Sequence, residues 1–348
     1  MQQRSKPPTI NDVAELAGVS KRTVSRVINR SSNVNKSTRS KVEAVIEQLQ
    51  FTPNRQARGL AASRSYLIGL VYDVPTLFIN NVQKGILSVC SDAGYELVVH
   101  ACHIESENLI DDVSRFVDNV NLDGVIILPP VSEVGAVATR LDELGCPFVR
   151  FASDIGSEPW KEVVTNYLPA ITDMTNHLVK LGHREMGFIS GPRGNISSQK
   201  RHEMFVQALA RYDIKLPRKM IKEGAFTYES GVKAARKLLS LERRPTAIFA
   251  ANDEMAFGLM HVADEMGLKI PDDLSLVGFD GTSFSSFVIP ALSTIRRQTD
   301  EMARLGTRKL LALIDEGPDA ARSFETMVSP QFVPRKSTGP APLANHKL

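Results

Sequence analysis

Two sets of side chains in this sequence have chemistry to offer, and both are binding sets. Lys21, Arg22 and Arg26 fall close together, and Arg22 and Arg26 are four apart, so a helix would carry them on one face. A guanidinium fork on such a face pairs with the O6 and N7 acceptors of guanine in a major groove. The second set is scattered: Asp73, Phe78, Arg201, Phe226, Asn252 and Asp280. Carboxylates and amides exchange hydrogen bonds with neighbouring hydroxyls, arginine adds a planar fork, and an aromatic face covers the apolar side of a ring, which is sugar-binding chemistry. Nucleophile and cofactor motifs are missing: there is no Gly-x-Ser-x-Gly elbow, no P-loop, and no Gly-x-Gly-x-x-Gly after a strand. Gly191-Pro192-Arg193-Gly194 reads as a simple turn. His100, Cys102 and His103 lack an evident fourth ligand, so neither metal nor cofactor is expected.

The basic set needs a helix pair to present it. Val13, Leu16 and Ala17 form one apolar stripe at i, i+3, i+4, and Val24, Val27 and Ile28 form another. Gly18 between them supplies a left-handed stop, and Ser20 sits where the N-cap of the second helix belongs. Thr9-Ile10-Asn11-Asp12 has the form of a capping box, which starts the first helix. A third helix is expected from a Ser37 cap, with Val42, Val45, Ile46 and Leu49 as its apolar stripe. Residues 1–51 thus read as a helix-turn-helix domain, although a plain helical hairpin with a solvated basic face has the same pattern. The chain of 348 residues carries a net charge of +3, but residues 1–65 hold twelve Lys/Arg against four Asp/Glu, leaving the remainder mildly acidic. A basic head on an acidic body suits a polyanion that meets the head alone; a solubilising head would look similar.

The scattered set needs a different scaffold. Pro53 ends the third helix, and 52–65 reads as a linker. From Tyr66 onward, strand-like runs at Leu67–Tyr72, Glu96–Ala101, Gly124–Leu128, Phe148–Ala152, Met186–Ser190, Ala247–Ala251 and Leu274–Phe279 alternate with helix-like stretches such as Val82–Ala93, Asn108–Val120, Ile171–Leu181, Gly231–Leu239 and Glu254–Met266. Alternation of this kind predicts α/β lobes with doubly wound parallel sheets, and 66–336 is long enough for two. Ligands in such sheets bind beyond the strands' carboxyl ends, which is where the scattered set falls. Asp280 could equally cap a turn, and Asn252-Asp253 the next helix. Residues 337–348 read as a disordered tail. Cys90, Cys102 and Cys146 show no pairing motif, and neither a signal-peptide core nor a membrane-length apolar run is present, so a cytoplasmic protein with no membrane partner is expected.

Thr9-Ile10-x-Asp12-Val13-Ala14-x-x-Ala17-Gly18-Val19-Ser20, followed by Thr23-Val24-Ser25-Arg26-Val27-Ile28-Asn29, closely resembles the lactose-repressor/galactose-repressor (LacI/GalR) family. Leu181-Gly182-His183-Arg184 with Ile189-Ser190-Gly191-Pro192, Pro245–Asp253, and Val277-Gly278-Phe279-Asp280 extend the resemblance to about Pro334. It implies a two-lobed core like the periplasmic sugar-binding fold, with chain crossings near Val164, Ile295 and Ser329. It also implies base reading by Lys21, Arg22 and Arg26, phosphate contacts from Thr9, Ser20, Thr23 and Asn29, and a DNA-ordered hinge helix containing Asn54. Leu60 matches the family's wedge leucine, which kinks DNA; a linker leucine packed on the core is the alternative. Gly59 beside it makes the hinge harder to order without DNA. Arg201 aligns with an effector-gripping arginine, Phe226 with an aromatic platform, and Asn252 and Asp280 with effector contacts.

Departures mark this chain's own character. Arg-x-x-Gly-Phe reads Arg201-His202-Glu203-Met204-Phe205, an acidic pair entering the second lobe reads Thr165-Asn166-Tyr167, and Thr-Ile-Arg-Gln-Pro reads Thr294-Ile295-Arg296-Arg297-Gln298. Asn166 and Arg150, which stands where an aliphatic residue is usual, join the expected effector set. Arg150 and Arg297, if cleft-facing, favour an acidic or phosphorylated sugar; paired with local carboxylates, they do not. The resemblance implies a non-enzymatic transcriptional regulator, of the repressor type, binding a pseudo-palindromic operator as a homodimer, with a tetramer left open, under control of a sugar-like effector. An activator, a co-repressor-dependent regulator and a sugar receptor without a DNA role are the other readings.

Overall fold

The computed structural model describes residues 8–28, 33–51, 64–152 and 155–342, and the chain divides into two units, 1–66 and 67–348. In the first, α1 (Ile10–Leu16) begins where the Asp12 carboxylate accepts the Thr9 backbone N–H at 2.6 Å and the Thr9 hydroxyl at 2.8 Å. Gly18 turns the chain at φ +63°. Ser20 Oγ accepts the Thr23 N–H at 3.1 Å and starts α2 (Lys21–Ile28). For α3 (Lys36–Gln48) the cap is Asn35, not the expected Ser37. Asn35 has the extended backbone a cap needs, and its Oδ1 takes the Thr38 N–H at 2.7 Å, which leaves Ser37 inside the first turn. Val13, Ala17, Val24, Val27, Val42 and Val45 are buried as the stripes require, and Phe51 joins them, but Leu16, expected in the first stripe, is 51% exposed. Its N–H returns to the Ile46 carbonyl at 2.9 Å after Gln50 takes φ 48°.

The second unit alternates throughout. In chain order it comprises β1 (Leu67–Tyr72), α4 (Leu77–Ala93), β2 (Glu96–Ala101), α5 (Leu109–Val120), β3 (Gly124–Ile127), α6 (Gly135–Glu143), β4 (Phe148–Ala152), β5 (Glu162–Thr165), α7 (Leu168–Lys180), β6 (Met186–Ser190) and α8 (Ile196–Ala210). There follow β7 (Ile221–Glu223), α9 (Tyr228–Leu239), β8 (Ala247–Ala250), α10 (Asp253–Glu265), β9 (Ser275–Asp280), α11 (Phe284–Phe287), β10 (Ser293–Arg296), α12 (Thr299–Asp315), α13 (Pro318–Arg322), β11 (Met327–Val328) and β12 (Gln331–Val333). The first sheet has the order β11-β5-β4-β3-β1-β2, all parallel; the second has β12-β10-β9-β8-β6-β7, parallel except for β12. Strands buried on both faces, such as β3 and β8, are continuous apolar runs. The chain leaves the first sheet after β5, returns through α12 after β10, and leaves again between β11 and β12. Cys90, Cys102 and Cys146 are buried and unpaired, and burial pushes their thiols up to about 11, about 12 and about 12.

The segment assigned to a loose tail is instead built into the second lobe as far as residue 342. Ser337 is fully buried; its Oγ donates to the Leu276 carbonyl at 2.6 Å, and its own carbonyl accepts the Leu276 N–H at 2.8 Å. His183 reaches the Gly339 carbonyl at 3.0 Å, and the Ala341 N–H donates to Leu181 at 2.7 Å. Composition suggested disorder, but these backbone bonds to β9 and to the turn after α7 hold the strap. Residues 343–348 of the expected tail lie outside the described residues.

Two glycines set the spacing of α9 and α10. A Cβ at Gly231 would lie 2.6 Å from Met255 Cα, and one at Gly258 would lie 2.7 Å from the Val232 nitrogen. Both contacts are with backbone, so only a shift of a whole helix relieves them. Gly231→Ala is expected to cost about 1–3 kcal/mol, seen as a lower urea midpoint; an unchanged midpoint would show that the helices slide freely.

Candidate functional site

A cavity of about 780 Å³ opens between the lobes, and its walls come from the carboxyl ends of both sheets. Asp73 and Val74 follow β1, His103 to Ser106 follow β2, and Pro129 and Pro130 follow β3. Across from them, Pro192 to Asn195 follow β6, Ala225 and Phe226 follow β7, Asn252 follows β8, Asp280 ends β9, and Arg297 follows β10. Thr76, Phe78 and Ile79 at the start of α4 and Ser197 and Arg201 on α8 complete it. In both sheets the strand order reverses around this point, between β1 and β3 and between β6 and β8, which is where a parallel sheet opens a crevice. Hydrogen bonds between the lobes include Leu77 N–H to Glu254 at 3.1 Å and the Ser197 hydroxyl to Glu133 at 3.3 Å.

The polar groups of the second lobe are held in place. Arg201, almost fully buried, donates to the Ala251 carbonyl and lies 3.9 Å from the Phe279 ring centroid. Arg297 lies 4.0 Å from the Phe78 centroid and 3.4 Å from the Asp280 carboxylate. Burial raises the Asp280 pKa, while Arg297 and Arg201 pull it back. Asn252 does both things its position allowed: its Oδ1 caps α10 through the Met255 N–H at 3.0 Å, and its amide donates to the Phe226 carbonyl at 2.7 Å. That second bond holds Phe226 at φ +62°, and Asp280 stands at φ +109°. Strained non-glycine residues of this kind persist where neighbours fix them, as beside a ligand.

Six of the expected cleft residues, Asp73, Phe78, Arg201, Phe226, Asn252 and Asp280, line the cavity, and two do not. Arg150 pairs in register with Glu162 on β5, donates Nε to its carboxylate at 3.1 Å, and closes on the same group with Nη2. Glu162 is buried and also accepts the Gly156 N–H at 2.7 Å, so Arg150 serves as that carboxylate's counter-charge. Asn166 is exposed and accepts the Leu168 N–H at 3.2 Å at the start of α7. Asn195 and Ser197 also line the cavity, and strand-end reasoning reaches Asn195 after β6; Arg297, whose facing the sequence left open, lines it too, whereas its partner in that reading, Arg150, does not. His100, Cys102 and His103 diverge: His100 pairs with Asp112 at 2.9 Å, Cys102 Sγ donates to the Tyr72 carbonyl, and His103 faces the cavity.

Behind this wall Asp253 is fully buried, its carboxylate taken by the Thr282 N–H at 2.8 Å and the hydroxyls of Thr282 and Thr294 at 3.0 and 2.6 Å. Burial, reinforced by the Asp280 charge, pushes its pKa from 3.8 to about 7 against those hydrogen bonds. A folded-state pKa above the unfolded one gives stability that is full below 3.8 and lost as pH rises through about 7. The thermal midpoint should therefore fall more steeply between about pH 5 and about pH 8 in wild type than in Asp253→Asn; parallel slopes would remove Asp253 as the titrating group.

On the head, Lys21, Arg22 and Arg26 are exposed while Val24 and Val27 of the same helix are buried. Ser20 and Thr23 share a hydroxyl contact at 2.9 Å beside them, and Thr9 is partly exposed at the start of α1. Asn29, Asn54 and Leu60 lie outside the described residues.

Residues 9–54 match the family model of bacterial regulatory proteins of the lacI family, and residues 175–338 match that of a periplasmic binding protein-like domain. A probable HTH-type transcriptional repressor ExuR of Bacillus subtilis strain 168 is 32% identical over 336 residues, covering 94% of this chain and 98% of its own. The chain belongs to the LacI family. Catabolite control protein A of Priestia megaterium is 33% identical over 308 residues, covering 87% of this LacI-family chain and 91% of its own. Among solved structures, the Lac repressor dimer bound to operator and the anti-inducer ONPF superposes with a TM-score of 0.78 at 30% identity, covering 96% of this chain and all of that one. A transcriptional regulator CelR–cellobiose complex gives 0.67 at 26% identity, covering 95% of this chain and 99% of that one. The fold is that of the Lac repressor, and the function is that of a DNA-binding transcriptional repressor, in a non-enzymatic family. Among the described residues no helix is long and apolar enough to cross a membrane.

Proposed function

We propose that this LacI-family chain, working in the cytoplasm, binds a pseudo-palindromic operator as a homodimer and is controlled by a small sugar-like effector in the interlobe cavity. The observation that carries the control is the cavity itself, built at the reversal points of both parallel sheets, with hydrogen bonds between its lobes. A ligand touching both lobes favours one arrangement of them, and such coupling to a second site is typically about 1–3 kcal/mol. Asp73, Phe78, Arg201, Phe226, Asn252 and Asp280 are the proposed effector contacts. Lys21, Arg22 and Arg26 read bases, Thr9, Ser20, Thr23 and Asn29 hold phosphates, and Asn54 and Leu60 serve the hinge, assignments that rest on the exposed basic face and the family resemblance.

Selection from random duplexes by the purified chain should return a near-palindromic site that survives raised salt. On that site Arg26→Ala is expected to cost about 1–3 kcal/mol and to relax one base position, while binding to random DNA changes little. Equal losses on both duplexes would make Arg26 a phosphate contact, and recovery of no consensus would reduce the head to a non-specific cation.

A further inference from the structure

The second-lobe wall of the cavity holds more buried positive charge than its own carboxylates neutralise. Arg201 and Arg297 are 4% and 7% exposed, and the two guanidinia share one partly buried carboxylate, Asp280. The pairing is loose, at 3.4 Å from Arg297, and the two cations repel each other. The Nε of each is buried and has no hydrogen-bond partner among the described residues. The neighbouring carboxyls are engaged elsewhere: Asp253 by Thr282 and Thr294, Glu254 by the Leu77 N–H. Arg193, the third arginine at the cavity, is neutralised by Glu223 at 2.9 Å. A buried cation without a full counter-charge and with unused donors is costly, and a ligand that supplies the anion recovers that cost on binding.

We infer that the cavity is built for a sugar acid, a polyhydroxylated monoanion whose carboxylate is taken by Arg297 and Arg201. This rests on the reading of the cavity as the effector site. One negative charge balances the excess cation, whereas a phosphate dianion overshoots it and faces Asp73 and Glu105 across the cavity. Planar guanidinium forks suit a planar carboxylate. Asp73 and Asn195 are placed for hydroxyls, with the Phe78 and Phe226 rings for the apolar faces.

The test is calorimetry on the full chain with D-gluconate, D-glucuronate, D-glucose and D-glucose 6-phosphate, each up to about 20 mM. At least one acid should bind about tenfold or more tighter than glucose and glucose 6-phosphate, and Arg297→Gln should erase that preference. Arg297→Lys, which keeps the charge and loses the fork, should retain part of it, and thermal midpoints of both variants identify any loss due to misfolding. Glucose or glucose 6-phosphate binding tighter than the acids, no binding of either acid, or an unchanged preference in a folded Arg297→Gln overturns the inference. Operator release is read separately by fluorescence anisotropy: release by glucose alone leaves the regulatory reading standing and sinks the sugar acid. An acid that binds without altering operator affinity does the reverse.

Discussion

Replacing Arg201 with alanine is expected to weaken effector binding by about 100-fold or more while leaving operator affinity intact, giving a repressor that no longer responds. Arg201 is the buried link between the Ala251 carbonyl at the end of β8, the Phe279 ring on β9 and the cavity. Alanine removes the fork, strips the Ala251 carbonyl of that donor and leaves a hole in the binding wall. The core that carries the lobe, with Phe188, Phe205 and Phe249, is not otherwise touched, so the protein should fold. Arg201→Lys keeps the charge without the planar geometry and should fall between the two. Anisotropy titrations of the selected operator, with and without ligand, measure both quantities. Normal release in Arg201→Ala would remove Arg201 from the effector site, and loss of operator binding would mean that its role is structural.

Lys309→Met should destabilise the core by about 2–5 kcal/mol, measured as a shift in the urea midpoint at constant slope. Lys309 on α12 is fully buried, and its Nζ donates to the Pro159 carbonyl at 3.0 Å, the Glu162 carbonyl at 2.8 Å and the Thr326 hydroxyl at 3.2 Å. These acceptors belong to the turn before β5, to β5 itself and to the residue leading into β11, so one ammonium ties α12 to the edge of the first sheet. Burial lowers its pKa to about 8, which leaves it charged at neutral pH. Methionine fills the channel but donates nothing, and the acceptors stay buried. A loss under about 1 kcal/mol would mean that the acceptors find other donors once the ammonium is gone.

The elements legible in the sequence are those whose pattern is self-sufficient. Leu67–Tyr72 and Phe148–Ala152 are long enough to declare themselves as strands, and Gly18 with Ser20 punctuates the helix pair through local backbone chemistry. The short strands β5, β7, β10, β11 and β12 exist because neighbours complete their ladders, which a local pattern does not reveal. The helix carrying Arg201 was hidden because its first turns, Ser197-Ser198-Gln199-Lys200, are polar, and their serines face the cleft and the β6 turn. In the site, strand-end reasoning located Asp73, Asn252 and Asp280 because each closely follows or ends a visible strand. Arg150, singled out as a departure from the family pattern, was misplaced because facing is decided by register: it lies beside Glu162, and that pairing requires knowing that β5 is a strand.

The three passages between the lobes also govern how this protein is made. When the ribosome has delivered β1 to β5, the first lobe still lacks α12, which covers β3, β4 and β5, and the edge strand β11. Phe151 and Val163, which pack at Gly306 of α12, wait for that helix until the second lobe's β6 to β10 have been made. The second lobe waits in turn for β12 and for the strap from Ser337 to Ala341. Only the head is contiguous, so it can fold as it emerges, while two unfinished sheets remain exposed behind it, the condition under which nascent chains lean on chaperones. Synthesis thus completes the DNA reader ahead of the control device, whose two halves are finished almost together.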